Sequence, residues 1–425
     1  MSRVTRIKGV ADIFPPDSAL FTSMEAAARV VFSRFGFREL RTPLLEFSEL
    51  YARSIGAETD VVQKEMYVFD GGKGRSFALR PEATAGVMRA YIDAGLGAKE
   101  SVSRLFTLGP MFRHERPQLG RMRQFHQINC ECLGSGSPVA DAEMIVMLLQ
   151  FLREIGINGL TLKLNSLGCA DCRPRYRAAL GAFLASLDAD ALCPDCARRA
   201  GTNPLRVLDC KVSACRELTL NAPSLADAQC SVCKSHFAAV LDFLRARSID
   251  YELDHRLVRG LDYYCRTTFE LVSGAIGAQS AVAGGGRYDG LVRNLGGPDV
   301  PGVGFACGME RLALLMGKPD APVPDFFIVA ACADAQKQAF SLAQELRDAN
   351  FHGTVAFSVV SLKSLMRQAH KSGARWCLIV GQNGADAPAV TIKNMTDGSQ
   401  TSAPMSEIFS LFSHKREFEH ASTQR

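Results

Sequence analysis

The sequence predicts two domains of unlike class: an α+β domain with an antiparallel sheet over residues 1–322, and a small α/β domain over residues 323–413. Two apolar-rich runs, 104–113 and 124–133, flank a polar connection and read as the strands of one hairpin. Beyond residue 324 strands and helices alternate, the pattern of an α/β unit. Between the two regions, GKPDAPVP at 317–324 sets three prolines in eight residues and reads as a linker. A chain of 425 residues has the length for two or three domains.

Along the chain, Leu20, Met24, Ala27, Val31 and Phe35 recur at spacings of 4, 3, 4 and 4, which predicts an amphipathic helix over 20–35 ended by Gly36. FRELRTP follows as a short strand closed by Pro43. The connection 114–123, HERPQLGRMR, contains Pro117, Gly120 and three arginines, so it reads as an extended basic hairpin loop. In the strand after it, Gln127, Asn129 and Glu131 are two apart and share one face. An outward polar face is the commoner cause of such parity; a polar floor under a ligand is the functional one. Ala142, Ile145, Leu148, Leu149 and Leu152 predict a helix over 139–156.

A cysteine-dense insertion at about 168–250 follows, with helical segments near 173–187 and 234–247. Residues 257–272 return to strand, with Tyr264, Arg266, Thr268 and Glu270 on one parity. After AGGGRYDGL at 283–291, the run PGVGFACGMERLALLMG at 301–317 turns from a glycine-rich strand directly into a helix. The second domain reads as strand 325–331, helix 335–349, strand 353–358, helix 361–372, strand 375–380, a hairpin turning at Thr396-Asp397-Gly398, and a helix near 405–413. The polar tail 414–425 is expected to fray.

Composition excludes several classes. Apolar residues at 47% and charged residues at 22% are those of a globular chain, neither disordered nor fibrous. The longest apolar runs fall far short of the roughly 18 residues of a membrane span. The first 16 residues lack an apolar signal core, so the chain is expected to be soluble, unexported and cytoplasmic. A formal charge of +5 permits a polyanionic partner without demanding one. No G-x-x-x-x-G-K-[ST], no Rossmann fingerprint and no H-E-x-x-H are present, so a nucleotide would have to be held by arginines on an antiparallel sheet.

The arginines suit that task. Arg113 ends a strand feeding the basic loop, Arg259 sits in LVRGLDYY, and Arg311 lies in the first turn of the helix starting near Gly308. A cation is disfavoured at a helix N-terminus, and a bound phosphate would reverse the sign. Each arginine alone reads as a surface charge; three beside polar-faced strands and glycine turns point to an anion.

These residues carry a resemblance. FRHERPQLGRMRQFHQ at 112–127 resembles motif 2 of the class II aminoacyl-tRNA synthetases in its histidyl-tRNA synthetase wording, and PGVGFACGMERL at 301–312 resembles motif 3. LVRGLDYYCRTTFE at 257–270 and GGGRYDGLV at 284–292 resemble the two peptides of the histidyl enzymes. RPEATA at 80–85 resembles their amino-acid-binding loop, and the unit ending at Pro43 resembles motif 1. The resemblance runs from about residue 8 to about 412. It implies a catalytic domain of class II synthetase type followed by an anticodon-binding domain.

The resemblance also implies residue roles. Glu82, Thr84 and Gln127 would bind the α-amino group of L-histidine. Glu131 and Tyr264 would pair the imidazole, with Tyr263 lining the pocket. Arg113 and Arg259 would contact the α-phosphate of ATP, and Arg311 its terminal phosphates; these three are the expected catalytic residues. Glu115 and Arg121 would serve ATP or the acceptor end of tRNA. The implied activity is histidine–tRNA ligation: histidyl-adenylate forms from L-histidine and ATP, with Mg²⁺ expected, and is transferred to tRNA(His). The implied assembly is a homodimer, without a membrane partner. Cys265, Cys307 and Met309 depart from the usual family wording without removing a charged or hydrogen-bonding group. The alternative is the synthetase-like regulatory subunit of ATP phosphoribosyltransferase, which typically lacks the anticodon domain and erodes the ATP motifs. In the second domain, Lys363, Arg367, His370 and Lys371 form a basic helix face, open to either water or phosphate.

The insertion adds a separate signal. Cys169 with Cys172, Cys193 with Cys196, and Cys230 with Cys233 form C-x₂-C, and Cys210 with Cys215 forms C-x₄-C. Those spacings suit one or two structural Zn²⁺ ions, though free cysteines also serve as small buried hydrophobes. Zinc is no part of the family's chemistry, and which pairs combine stays open.

Overall fold

The computed structural model describes residues 4–279, 281–317, 323–381 and 389–412. The tail 414–425 and residues 318–322 of the expected linker lie outside the described residues. The chain divides into two compact units, Met1–Pro319 and Asp320–Arg425. Among the described residues no helix is long and apolar enough to cross a membrane.

The first unit is built on an eight-stranded sheet in the order Arg38–Glu39, Ser103–Phe112, Gln124–Leu133, Gly302–Gly308, Ala281–Arg287, Cys265–Val272, Thr161–Ser166, Glu252–Leu253. The six long strands pair antiparallel, and only the two short edge strands pair parallel. This is the expected α+β architecture of class II type.

Alternation along the Gln124–Leu133 strand explains how the sheet is used. Ile128, Cys130 and Cys132 enter an apolar core with Phe269 and Phe305. That face is covered by the helices Asp17–Arg34, Pro138–Glu154 and Ser231–Ala246, through Met24, Phe32, Leu148, Phe151 and Leu244. Gln127, Asn129 and Glu131 therefore point the other way, and they line a cavity instead of facing open water. That parity forms the polar floor of a cavity and not an outward face.

Two sequence expectations need correction. The strand after Gly36 is only Arg38–Glu39, because Leu40 donates its last sheet bond to Phe106 and the chain then leaves the edge. The strand expected over 257–272 begins only at Cys265, and its parity breaks at Arg266. Arg266 has φ +46°, and the register jumps from Gly286 opposite Thr268 to Arg287 opposite Cys265. Such a bulge re-aims side chains. Glu270 and Tyr264 face the cavity, while Arg266 lies 3.8 Å from Asp289.

The second unit is a five-stranded sheet in the order Gly353–Val355, Phe326–Ala330, Trp376–Val380, Ala389–Asn394, Gln400–Pro404. The first two pairings are parallel and the last two antiparallel. The helix Gln336–Asp348 covers one face through Ala339, Leu342 and Leu346, and the helix Leu362–Ser372 covers the other through Leu365 and Ala369. The hairpin turns at 396–398, where Gly398 has φ +77°.

Candidate active site

Four strands of the large sheet, with the loop after Arg80 and the basic hairpin loop, enclose a cavity of about 200 Å³. All eleven residues expected at the histidine and ATP subsites line it: Glu82, Thr84, Gln127, Glu131, Tyr263 and Tyr264 make one end and Arg113, Glu115, Arg121, Arg259 and Arg311 the other, the two meeting where Arg259 lies 5.8 Å from the Tyr264 ring centroid.

The first end is built around Glu131. Its carboxylate accepts hydrogen bonds from Thr84 Oγ1 at 2.6 Å and from the Tyr288 hydroxyl. A side chain at residue 304 would collide with it, so the glycine of the facing strand is what leaves the carboxylate room. Burial pushes the Glu131 carboxyl up to about 8, and the hydrogen bonds from Thr84 and Tyr288 limit the rise. Glu82 accepts the backbone N–H groups of Thr84 at 2.7 Å and Ala85 at 2.8 Å, at the start of the helix Thr84–Asp93. Burial raises its carboxyl despite these bonds. Tyr263 and Tyr264 pack with ring planes tilted by 46° and centroids 4.6 Å apart, and Tyr263 meets Tyr288 edge-on at 5.7 Å. Gln127 Oε1 and Asn129 Nδ2 are buried with no hydrogen-bond partner. Orphaned buried polar atoms are costly, and atoms aimed into a cavity are the ones a ligand would satisfy.

The second end gathers positive charge. Arg113 donates through Nε to Pro81 O at 2.9 Å and lies 5.5 Å from the Phe125 ring centroid. Arg121 pairs with Glu115 at 2.8 Å, and Arg113 lies 3.9 Å from the same carboxylate. Arg259 donates through Nη1 to Glu270 at 2.8 Å, while its Nε is buried with no partner. Only a glycine at 284 leaves that guanidinium its place, since a Cβ there would overlap it. Arg311 donates to Gly120 O at 3.2 Å and Ala281 O at 2.6 Å, which ties the hairpin loop to the sheet. Burial, with Arg121 nearby, lowers the Arg311 pKa from its ordinary value. Several guanidinium groups brought together out of water favour an anion among them.

Some signals were missed or overweighted. Tyr288 stood inside the quoted GGGRYDGLV peptide and Glu270 inside the strand parity, yet neither carried a role in the sequence reading. The helix at Gly308 was expected to help hold phosphate through its dipole. It is Met309–Leu315, only seven residues, and its Arg311 donates to two backbone carbonyls. Cys265 is buried and its thiol is pushed up to about 12 by burial, which disfavours the thiolate a reactive cysteine needs. The eight insertion cysteines lie outside the cavity, in two groups of four. On the helix Leu362–Ser372 the side chains Lys363, Arg367, His370 and Lys371 are exposed opposite Leu365 and Ala369.

Comparison with known proteins agrees with this geometry. The family model described as histidyl-tRNA synthetase matches residues 9–312, and one described as an anticodon binding domain matches residues 325–415. The histidine–tRNA ligase of Nitratidesulfovibrio vulgaris strain Hildenborough is 62% identical over 400 residues, covering 94% of this chain and 96% of that protein. That of Oleidesulfovibrio alaskensis is 59% identical over 404 residues, covering 94% and 97%. The crystal structure of apo histidyl-tRNA synthetase from S. aureus superposes with a TM-score of 0.79 at 30% identity, covering 97% of this chain and 100% of that one. A Bacillus halodurans structure described as an ATP phosphoribosyltransferase regulatory subunit/histidyl-tRNA synthetase has a TM-score of 0.65 at 17% identity, a likeness of fold alone. With its first 312 residues spanned almost completely by one family model and its length matched by close relatives, the chain belongs to the histidyl-tRNA synthetase family.

Proposed function

We propose that the chain is a histidine–tRNA ligase whose cavity binds L-histidine at the Glu131 end and ATP at the arginine end. The observation that carries this is the pairing of a carboxylate-and-tyrosine pocket, holding unpartnered Gln127 and Asn129 atoms, with Arg113, Arg259 and Arg311 in the same cavity. Glu131 and Tyr264 hold the imidazole, with Tyr263 beside it. Glu82, Thr84 and Gln127 receive the ammonium group. A carboxylate oxygen of histidine then attacks the α-phosphorus of ATP. The bond from that phosphorus to the bridging oxygen breaks, and pyrophosphate leaves with both electrons. Arg113 and Arg259 orient the two anions and stabilise charge on the α-phosphate oxygens, and Arg311 holds the departing phosphates. Glu115 positions Arg121 toward ATP or the acceptor end. In the second step a ribose hydroxyl at the 3′ end of tRNA(His) attacks the adenylate carbonyl and AMP leaves.

The same reading includes Mg²⁺ accompanying ATP, a homodimer in the cytoplasm, and anticodon recognition by residues 323–413, with the basic face of the helix Leu362–Ser372 toward phosphate. Structural zinc belongs to the insertion, outside the reaction. Histidine-dependent exchange between ATP and pyrophosphate tests the first step. Exchange that requires histidine, followed by charging of tRNA(His), is the expected result. Histidine binding without exchange would instead favour a regulatory subunit.

A further inference from the structure

The insertion's eight cysteines do not pack as hydrophobes scattered through a core. They fall into two groups, and within each group the four sulfurs lie within 4.8 Å of one another. All of them are free thiols. The Sγ separations are 3.6 Å for Cys169–Cys172, 3.9 Å for Cys172–Cys233 and 3.9 Å for Cys193–Cys210. A disulfide needs about 2.05 Å. Four sulfurs tetrahedrally placed about 2.3 Å from one zinc stand about 3.8 Å apart, close to these three separations. An iron–sulfur cluster, with several metal atoms between its ligands, would hold the sulfurs much farther apart.

Two backbone groups support the same reading. The Cys193 N–H donates to Cys215 Sγ at 3.1 Å, and the Cys230 N–H donates to Cys172 Sγ at 3.2 Å. Each crosses from one cysteine pair to the other of its group, and N–H bonds to sulfur stabilise thiolate charge. We infer that the insertion carries two separate tetrathiolate zinc sites: Cys169, Cys172, Cys230 and Cys233 form one, and Cys193, Cys196, Cys210 and Cys215 the other. These two ions are the structural zinc of the proposed function, and their presence is independent of its aminoacylation chemistry.

The sites are nested and do different work. The outer one joins the exit of the strand Thr161–Ser166 to the start of the helix Ser231–Ala246, closing the insertion where it leaves and rejoins the sheet. The inner one closes the stretch 193–215 within it, whose helices, such as Pro194–Thr202, are short. Leu167, Tyr176, Leu180 and Val207 of this region pack in one cluster with Tyr264 and Tyr288 of the cavity. From the insertion, Arg173 donates to Asp262 O at 3.3 Å and Asn203 to Asp262 Oδ1 at 2.9 Å. Arg256 in turn donates to Thr219 O at 2.7 Å. The peptide carrying Arg259 is thus clasped at both ends by the segment the ions stiffen. Each ion replaces four thiol protons on binding, and its binding energy becomes folding energy for the segment it closes.

Metal analysis of the full chain, grown with zinc and purified without chelators, tests this. Two zinc ions per chain are expected, falling to one in Cys169→Ser/Cys172→Ser and to one in Cys193→Ser/Cys196→Ser. One zinc or fewer in the parent, iron in place of zinc, or a double variant that keeps two, overturns the assignment. Since a double variant can misfold, cobalt(II) titration of the metal-stripped parent gives a second count. Thiolate-to-cobalt absorption rising linearly to two equivalents supports the two sites, and saturation at one or none overturns them. Active enzyme without zinc would sink these sites alone, and zinc-loaded enzyme without exchange would sink the ligase reading alone.

Discussion

Two arginines beside the same sheet differ in how completely they are satisfied. At the first, Arg287 and Asp141 are both fully buried. Arg287 Nε donates to Asp141 at 3.1 Å, Nη1 donates to Ser135 O at 2.9 Å and Asp289 at 3.1 Å, and Nη2 donates to Ser137 O at 3.2 Å. Burial alone would raise the Asp141 carboxyl; His236 at 3.3 Å and the charge of Arg287 overcome it and hold it below its ordinary value. At the second, Glu131 has only hydroxyl donors, and Arg259 keeps a buried Nε without a partner. A guanidinium with every nitrogen paired, as in Arg287, stabilises the fold, and one with an orphaned nitrogen, as in Arg259, keeps capacity for a ligand. Both arginines sit in the quoted motif peptides, so the sequence alone does not separate them.

The largest effect should come from the fully paired arginine. Arg287→Ala strands Asp141 in the interior without its counter-ion and is expected to cost about 3–5 kcal/mol. Thermal unfolding of the first unit would show it. The double change Arg287→Met with Asp141→Leu should recover most of the loss, since an apolar pair of similar volume replaces the ion pair. A single variant that unfolds with the parent would end the contrast.

Arg259→Gln should behave in the opposite way. Its guanidinium is expected to act on charge that develops on the α-phosphate, so histidine-dependent exchange should fall about 10²–10³-fold. Histidine affinity and the unfolding temperature should keep the parent values, because the lost contact belongs to the transition state. Equal losses in exchange and stability would place Arg259 with Arg287 as a framework residue.

The fold was legible where one periodicity was strong. The helix Pro138–Glu154 and the hairpin strands Ser103–Phe112 and Gln124–Leu133 fall within two residues of expectation. Gathering of the cavity residues was legible through the motif resemblance, since composition offers no path from Arg113 to Arg259. Arg266 was misread because parity assumes an unbroken strand, and a bulge is invisible to period-two counting. Tyr288 escaped notice because its role depends on reaching Glu131 across the intervening strand Gly302–Gly308, a relation set by register and not by spacing. Cysteine pairing in the insertion was open for the same reason: four pairs can combine in several ways, and only the turn of the chain decides.

The smallest expected effect separates the two carboxylates by the direction of their response to pH. Glu131, raised to about 8, binds a proton in the folded protein that it gives up near pH 4.3 when unfolded. Between those values the folded state holds more protons than the unfolded one, so stability from this group is full below about pH 4.3 and is lost as pH rises through about 8. Asp141 runs the other way: its carboxyl is lowered, so its contribution is present above the ordinary carboxylate range and is lost as pH falls. Glu131→Gln removes the first titration while keeping an amide of the same shape for Thr84 and Tyr288. Without histidine, the parent should therefore lose about 1 kcal/mol relative to Glu131→Gln between pH 7 and pH 8, read as a widening gap in unfolding temperature. A gap that stays constant would mean that Glu131 is already ionised in the empty pocket. Its hydroxyl donors would then satisfy a carboxylate as fully as Arg287 satisfies Asp141, and the difference between the two clusters would lie in Arg259 alone.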